Sequence, residues 1–121
     1  MAPASGRYRE IMTAQIFHIA TRGDWRAAVI RGSYDTSTRG RTLAEEGFIH
    51  ASTREQVQPV FDRYYADAGE PLVLLTIDVD KLTAPVRDEQ VGDTTYPHIY
   101  GPINTEAVVE VQLLDASGGV G

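Results

Sequence analysis

No cysteine occurs among the 121 residues, which excludes disulfides and thiolate metal centres and leaves the chain with no use for an oxidising compartment. Basic residues are also scarce: 11 Lys and Arg stand against 17 Asp and Glu, a formal net charge of -6. General binding to a nucleic-acid backbone depends on clustered Lys and Arg and is not expected, although a local Arg pocket could hold one nucleotide. Apolar runs are short. None approaches the roughly 20 residues that cross a bilayer, and Met1 to Thr13 lacks the apolar centre of a signal peptide, so no membrane partner is expected and the cytoplasm is the default location. A glycine-rich phosphate loop, a G-x-S-x-G elbow and an H-E-x-x-H helix are all missing.

What remains is one soluble domain with 42% hydrophobic residues, long enough to bury a core unaided. Residues 1–13 have no period and read as a flexible leader. The working domain is expected over 14–115, with 116–121 a flexible tail. In Gln15 to Ala20, Ile16 and His18 share one strand face and Phe17 and Ile19 the other, which places His18 mid-strand and half-buried. Thr21 to Asp24 has capping-box spacing and opens a helix with Trp25, Ala28 and Val29 on one side, ending at Gly32. The polar stretch Ser33 to Arg41 reads as a surface loop that covers or borders something. Thr42 to Glu45 makes one helical turn before Gly47 reverses the chain.

The next segment, Glu45-Glu46-Gly47-Phe48-Ile49-His50-Ala51-Ser52-Thr53, organises the rest. Period-two geometry sends the His50 imidazole and the Ser52 hydroxyl to one face of a strand. Ser52, with Glu55 three residues on, has the spacing to cap a helix of roughly Thr53 to Ala68, and a titratable group beside a helix N-terminus suits an anion. Leu72 to Val79 is a continuous apolar run, expected as a central strand buried on both faces. Arg87 and Glu89 share a face of a short extended piece that Pro85 keeps near an edge. They make either a surface ion pair or a cation for phosphate beside a carboxylate for acid-base work. Tyr96 to Pro102 reads as a stiff loop presenting His98 and Tyr100, and Ala107 to Leu114 as a final strand.

All three histidines thus fall in patterned segments, where each is either a packed, hydrogen-bonded side chain or part of a site. A zinc site would need them to converge from separate strands, since no close His spacing lies on one helix, and no metal is called for.

Together, Ile16-Phe17-His18-Ile19, the EGFIHAS segment from Glu46 to Ser52, Arg87-Asp88-Glu89 and Pro97-His98-Ile99-Tyr100-Gly101 resemble a family of small bacterial proteins, the domain of unknown function numbered nine hundred and fifty-two. The likeness runs from about Ile16 to Leu114. Members of that family resemble, remotely, the ADP-ribosyltransferase fold, and Phe48 to Thr53 is similar in character to the H-G-T segment of RNA 2′-phosphotransferases of that fold. The resemblance implies an α+β domain with a split, mixed β-sheet and two main helices, and NAD or an ADP-ribosyl group as a nucleotide-like substrate in the cleft between the sheet halves. It further implies His18 at the adenosine ribose, His50 and Ser52 around the nicotinamide ribose and pyrophosphate with Thr53 near the helix start, and Glu89 orienting a ribose hydroxyl. His50 and Glu89 would then be catalytic in a glycosyltransferase-type transfer, and His18, Ser52, Thr53, Arg87, His98 and Tyr100 would bind ligand. A non-catalytic module that binds a small anionic metabolite is the alternative on the same fold.

Overall fold

The computed structural model describes residues 14–120; the expected leader, 1–13, lies outside them. Strands dominate. β1 (Gln15–Thr21), β6 (Leu72–Asp78) and β10 (Val108–Leu114) form one sheet with β6 in the middle, and β5 (Ile49–His50), β8 (Thr94–Ile99) and β7 (Val86–Val91) form a second around β8. Two small ribbons pair β2 (Ser33–Tyr34) with β9 (Ile103–Asn104) and β3 (Thr36–Thr38) with β4 (Arg41–Thr42).

The two larger sheets meet edge to edge. Phe17 and Ser52 exchange both backbone hydrogen bonds at 2.8 Å, and the Ala51 N–H donates to Pro97 O at 3.0 Å. A split sheet is therefore present. It is not mixed, however: every strand pair among the described residues is antiparallel. Parallel neighbours need a crossover of a dozen or more residues back to the same edge, whereas here each helix delivers the chain either to a ribbon or to a strand that runs against its neighbour.

Capping chemistry sets the helices. Thr21 Oγ1 accepts the Asp24 N–H at 3.1 Å at the start of α1 (Arg22–Arg31), and Gly32, at φ 83°, closes it. α2 (Leu43–Glu46) is the expected single turn, stopped by Gly47 at φ 89°. Ser52 is not a cap, because both its backbone groups are used by Phe17; Thr53 takes that position, and Gln56 rather than Glu55 returns to its N–H at 3.0 Å. A 3₁₀ turn, Arg54–Gln56, then leads into α3 (Val57–Tyr64). This helix is shorter than expected because Tyr65 leaves it at φ -128°, burying its ring and accepting the Arg39 N–H on its hydroxyl at 3.2 Å.

Helices cover both faces of the first sheet. Ala28 and Trp25 of α1 pack with Ile16, Val73, Leu75 and Ile77, while Phe61 of α3 and Tyr65 pack with Phe17, Ile19, Leu72 and Leu74. Hence Leu72 to Ile77, apolar but for Thr76, shows no alternation and is buried throughout. No helix of the described residues is long and apolar enough to cross a membrane.

Two further expectations change. Ser33 to Arg41 is not a loop but carries β2 and β3, with Tyr34 and Ser37 buried. Tyr96 to Ile99 lies within β8, the centre of the second sheet, rather than in a stiff loop. The stretch after Leu114 closes on itself: Asp115 Oδ1 accepts the N–H groups of Ser117 and Gly119 at 2.9 Å, and Val120 bridges back to Leu114.

Candidate functional site

A cavity of about 290 Å³ opens where β1, β3 and β5 meet α3 and the β7–β8 hairpin. Its base consists of buried residues, among them His18, Ser37, Ser52 and Tyr65, and the half-buried His50 stands above them. Exposed Arg63, Tyr64 and Asp93 form the rim, with Val60 and Tyr96 between rim and base. β3 reaches this position because it packs against both β1 and β5. The seam between the two sheets is thus the floor of the cavity.

His18 is fully buried rather than half-buried, and both ring nitrogens are engaged. Nδ1 lies 2.6 Å from the His50 carbonyl and Nε2 lies 2.8 Å from the Tyr34 hydroxyl. A carbonyl only accepts, so Nδ1 carries the proton and Nε2 accepts from Tyr34. Burial, which disfavours the charged ring, pulls the His18 pKa from 6.5 down to about 4 against the opposing pull of the His50 carbonyl. Tyr34 is pushed upward by burial as well, and its ring meets that of His18 edge-on at 5.2 Å. His18 is a neutral strut tying β1 to β2 and β5.

His50 is placed by Gly47. The left-handed turn there reverses the chain into β5, where His50 pairs with His98 of β8. Its ring stands perpendicular to that of His98 at 4.7 Å and edge-on to Phe48 at 5.1 Å. Partial burial lowers its pKa first and the nearby His98 lowers it further, opposed by Glu46. A neutral imidazole therefore faces the cavity.

Behind it lies a second group. His98 is buried and stacked on Phe48 at 4.1 Å; its Nδ1 donates to Glu89 Oε1 at 2.7 Å, and the same oxygen accepts the Tyr100 hydroxyl at 2.5 Å. Tyr100 and His98 as donors hold the Glu89 carboxyl below the usual carboxylate range, and the hydrogen bond to Glu89 in turn pushes the Tyr100 phenol up. The Arg87 guanidinium sits 5.1 Å above the Tyr100 ring, so Arg87 and Glu89 share partners around Tyr100. His98 Nε2, by contrast, is buried with no partner.

The residues singled out in the sequence thus fall into two sets, with Thr53 in neither. His18, His50 and Ser52 line the cavity; Arg87, Glu89, His98 and Tyr100 gather behind His50 and do not; Thr53 is exposed at the start of the 3₁₀ turn. Ser37, Arg63, Asp93 and Tyr96 line the cavity without having been singled out. No local motif marks them, since they come from four separate elements. Among the described residues no cluster of three or more His, Cys, Asp or Glu is arranged to hold a metal ion.

A family model described as "Protein of unknown function (DUF952)" matches residues 19–111. The chain belongs to this family. No curated protein matches it. Among solved structures it is similar to protein CC0527 from Caulobacter crescentus, a structural-genomics target. The crystal structure is 29% identical with a TM-score of 0.72, covering 89% of this chain and 94% of that one. A solution NMR structure of the same protein gives 29% identity and a TM-score of 0.61 over 86% and 89% of the two chains. The chain is thus a small α+β domain built mostly of strands and similar in fold to that protein, and neither the family description nor the names of these structures mentions a ligand or a reaction.

Proposed function

We propose that the cavity binds a small nucleotide-type ligand, with the ADP-ribosyl portion of NAD as the form that the remote likeness to ADP-ribosyltransferases implies. The observation that carries this reading is the grading of the lining: uncharged polar groups at the base, aromatic and aliphatic side chains on the wall, and a guanidinium at the rim. A sugar, a ring and a phosphate want those three environments. At about 290 Å³ the cavity is at the lower end for small-ligand sites, roughly 300 Å³ and upward, so it suits one half of a dinucleotide better than the whole.

Transfer chemistry is the further step in this reading. His50 would meet the ligand, and Glu89 would act on it only through His98, because Glu89 is engaged by His98 and Tyr100 and is not part of the lining. Asp93, on the rim, is the lining carboxylate that would meet the nicotinamide ribose, the half of the dinucleotide left outside the cavity. The same placement of Glu89 favours the second reading, a module that binds without turnover.

Calorimetric titration with NAD and ADP-ribose, followed by a product assay on NAD, separates the two. Saturable binding with nicotinamide release abolished in Asp93→Asn supports transfer. Saturable binding without release supports the module, and no binding of either compound contradicts the nucleotide reading.

A further inference from the structure

Ser37 is wholly buried in β3, lines the cavity, and its Oγ has no hydrogen-bond partner. A buried hydroxyl left unpaired costs about 1–3 kcal/mol, and strand β3 carries this cost at the floor of the cavity. We infer that Ser37, whose Oγ is shielded from solvent, turns its side chain into the cavity on binding and becomes the hydrogen-bonding partner of an uncharged, hydroxyl-bearing group of the ligand, so that the sugar enters first and the phosphate stays at the rim.

The sense of entry follows from charge. His18 spends both nitrogens on the His50 carbonyl and Tyr34, and burial keeps it neutral. His50 is also held toward its neutral form, and the remaining base residues Ser52, Ala51 and Ile19 carry no charge. An anion pressed against this floor would be desolvated with no counter-charge, an arrangement that proteins avoid. A ribose hydroxyl has no such penalty: it can donate to or accept from Ser37 Oγ, and His50 offers a second partner beside it. Arg63, exposed on α3, is the cation among the lining residues and supplies the counter-charge for a phosphate at the open end, against the opposing charge of Asp93 on the same rim. Tyr96, between the two ends, and Tyr64, on the rim, give a ring something to stack on.

This inference rests on the nucleotide reading above, and the two fail separately. Calorimetric titrations with ADP-ribose and with inorganic pyrophosphate, on the parent protein and on Ser37→Ala, are paired with thermal unfolding of both proteins. Removing the hydroxyl should weaken ADP-ribose binding about tenfold, leave the weak pyrophosphate binding unchanged, and keep or raise Tm, because an unpaired buried group has been deleted. A serine that is merely structural would lower Tm with the affinity, and that result overturns the inference. Unchanged ADP-ribose affinity in Ser37→Ala also overturns it while leaving the nucleotide reading in place. Pyrophosphate binding as tight as ADP-ribose would make the cavity an anion site and contradict the sugar seat. Absence of ADP-ribose binding by the parent protein overturns both readings.

Discussion

The Nδ1 of His98 and the hydroxyl of Tyr100 meet on a single oxygen of Glu89, at 2.7 and 2.5 Å. Because that oxygen is a carboxylate and only accepts, His98 carries a proton on Nδ1, while its Nε2 has no partner. Both donors favour the charged form of Glu89, so its folded pKa lies below the ordinary 4.5. A depressed carboxylate contributes stability that is complete above the unfolded pKa and lost as pH falls through the folded one. Glu89→Gln should therefore unfold at a lower temperature than the parent at pH 7, with the gap closing as pH is taken below about 4.5. Thermal unfolding across a pH series checks this; a gap of constant size would show that the charge of Glu89 is not what the donors hold.

His18 gives the second acid-sensitive element, with the sign worked out for a base. Its folded pKa is depressed from 6.5 to about 4, so the unfolded chain takes up the proton first. The associated stability is complete above pH 6.5 and is lost as pH falls toward 4. A shift of that size is worth roughly 3 kcal/mol. Urea unfolding at pH 7 and pH 4 should show a loss of this order, and the His18 ring should stay neutral at pH 5 by NMR. Tyr34→Phe removes the donor to Nε2 and should cost about 1–3 kcal/mol at neutral pH.

Gly118 tests the closure of the C-terminal turn. It sits at φ 88°, and a Cβ there would lie 2.6 Å from the Phe61 ring. Gly32 has a similar φ of 83° with open space around it. Gly32→Ala should cost about 1 kcal/mol from backbone strain alone, and Gly118→Ala about 2–3 kcal/mol because the ring must also move. Equal losses in denaturant unfolding would mean that residues 115–120 do not pack on α3 as described.

How legible each part was depends on the range of the interactions that decide it. Thr21, Gly32 and Gly47 act within one turn of chain, and the elements they bound were readable from residue type. The run at Leu72 to Ile77 was readable because both faces of β6 are covered. Ser33 to Arg41 was misread because β2, β3 and β4 are two or three residues long, with polar side chains around the buried Tyr34. Tyr96 to Ile99 was misread because Pro97 argues against a central strand. Its carbonyl faces Ala51 beyond the end of β5, and in an antiparallel ladder the N–H lies on that same side, so the donor that proline lacks is not one β7 needs. The histidines were recognisable as a set. Their division was not, because Tyr34, sixteen residues away, occupies His18, and Ser37, Arg63 and Asp93 become neighbours only through the tertiary fold.

Imidazole NMR of the labelled protein during titration with ADP-ribose tests the central claim most directly, since the histidines occupy three different environments. Binding in the cavity predicts saturable movement of the His50 signals, together with resonances of Tyr96 and Arg63, while His18 keeps its Nδ1–H tautomer and His98 changes less than His50. Movement confined to His98 and Tyr100, or no movement of a folded protein at saturating ligand, would contradict the assignment of this cavity as the nucleotide site.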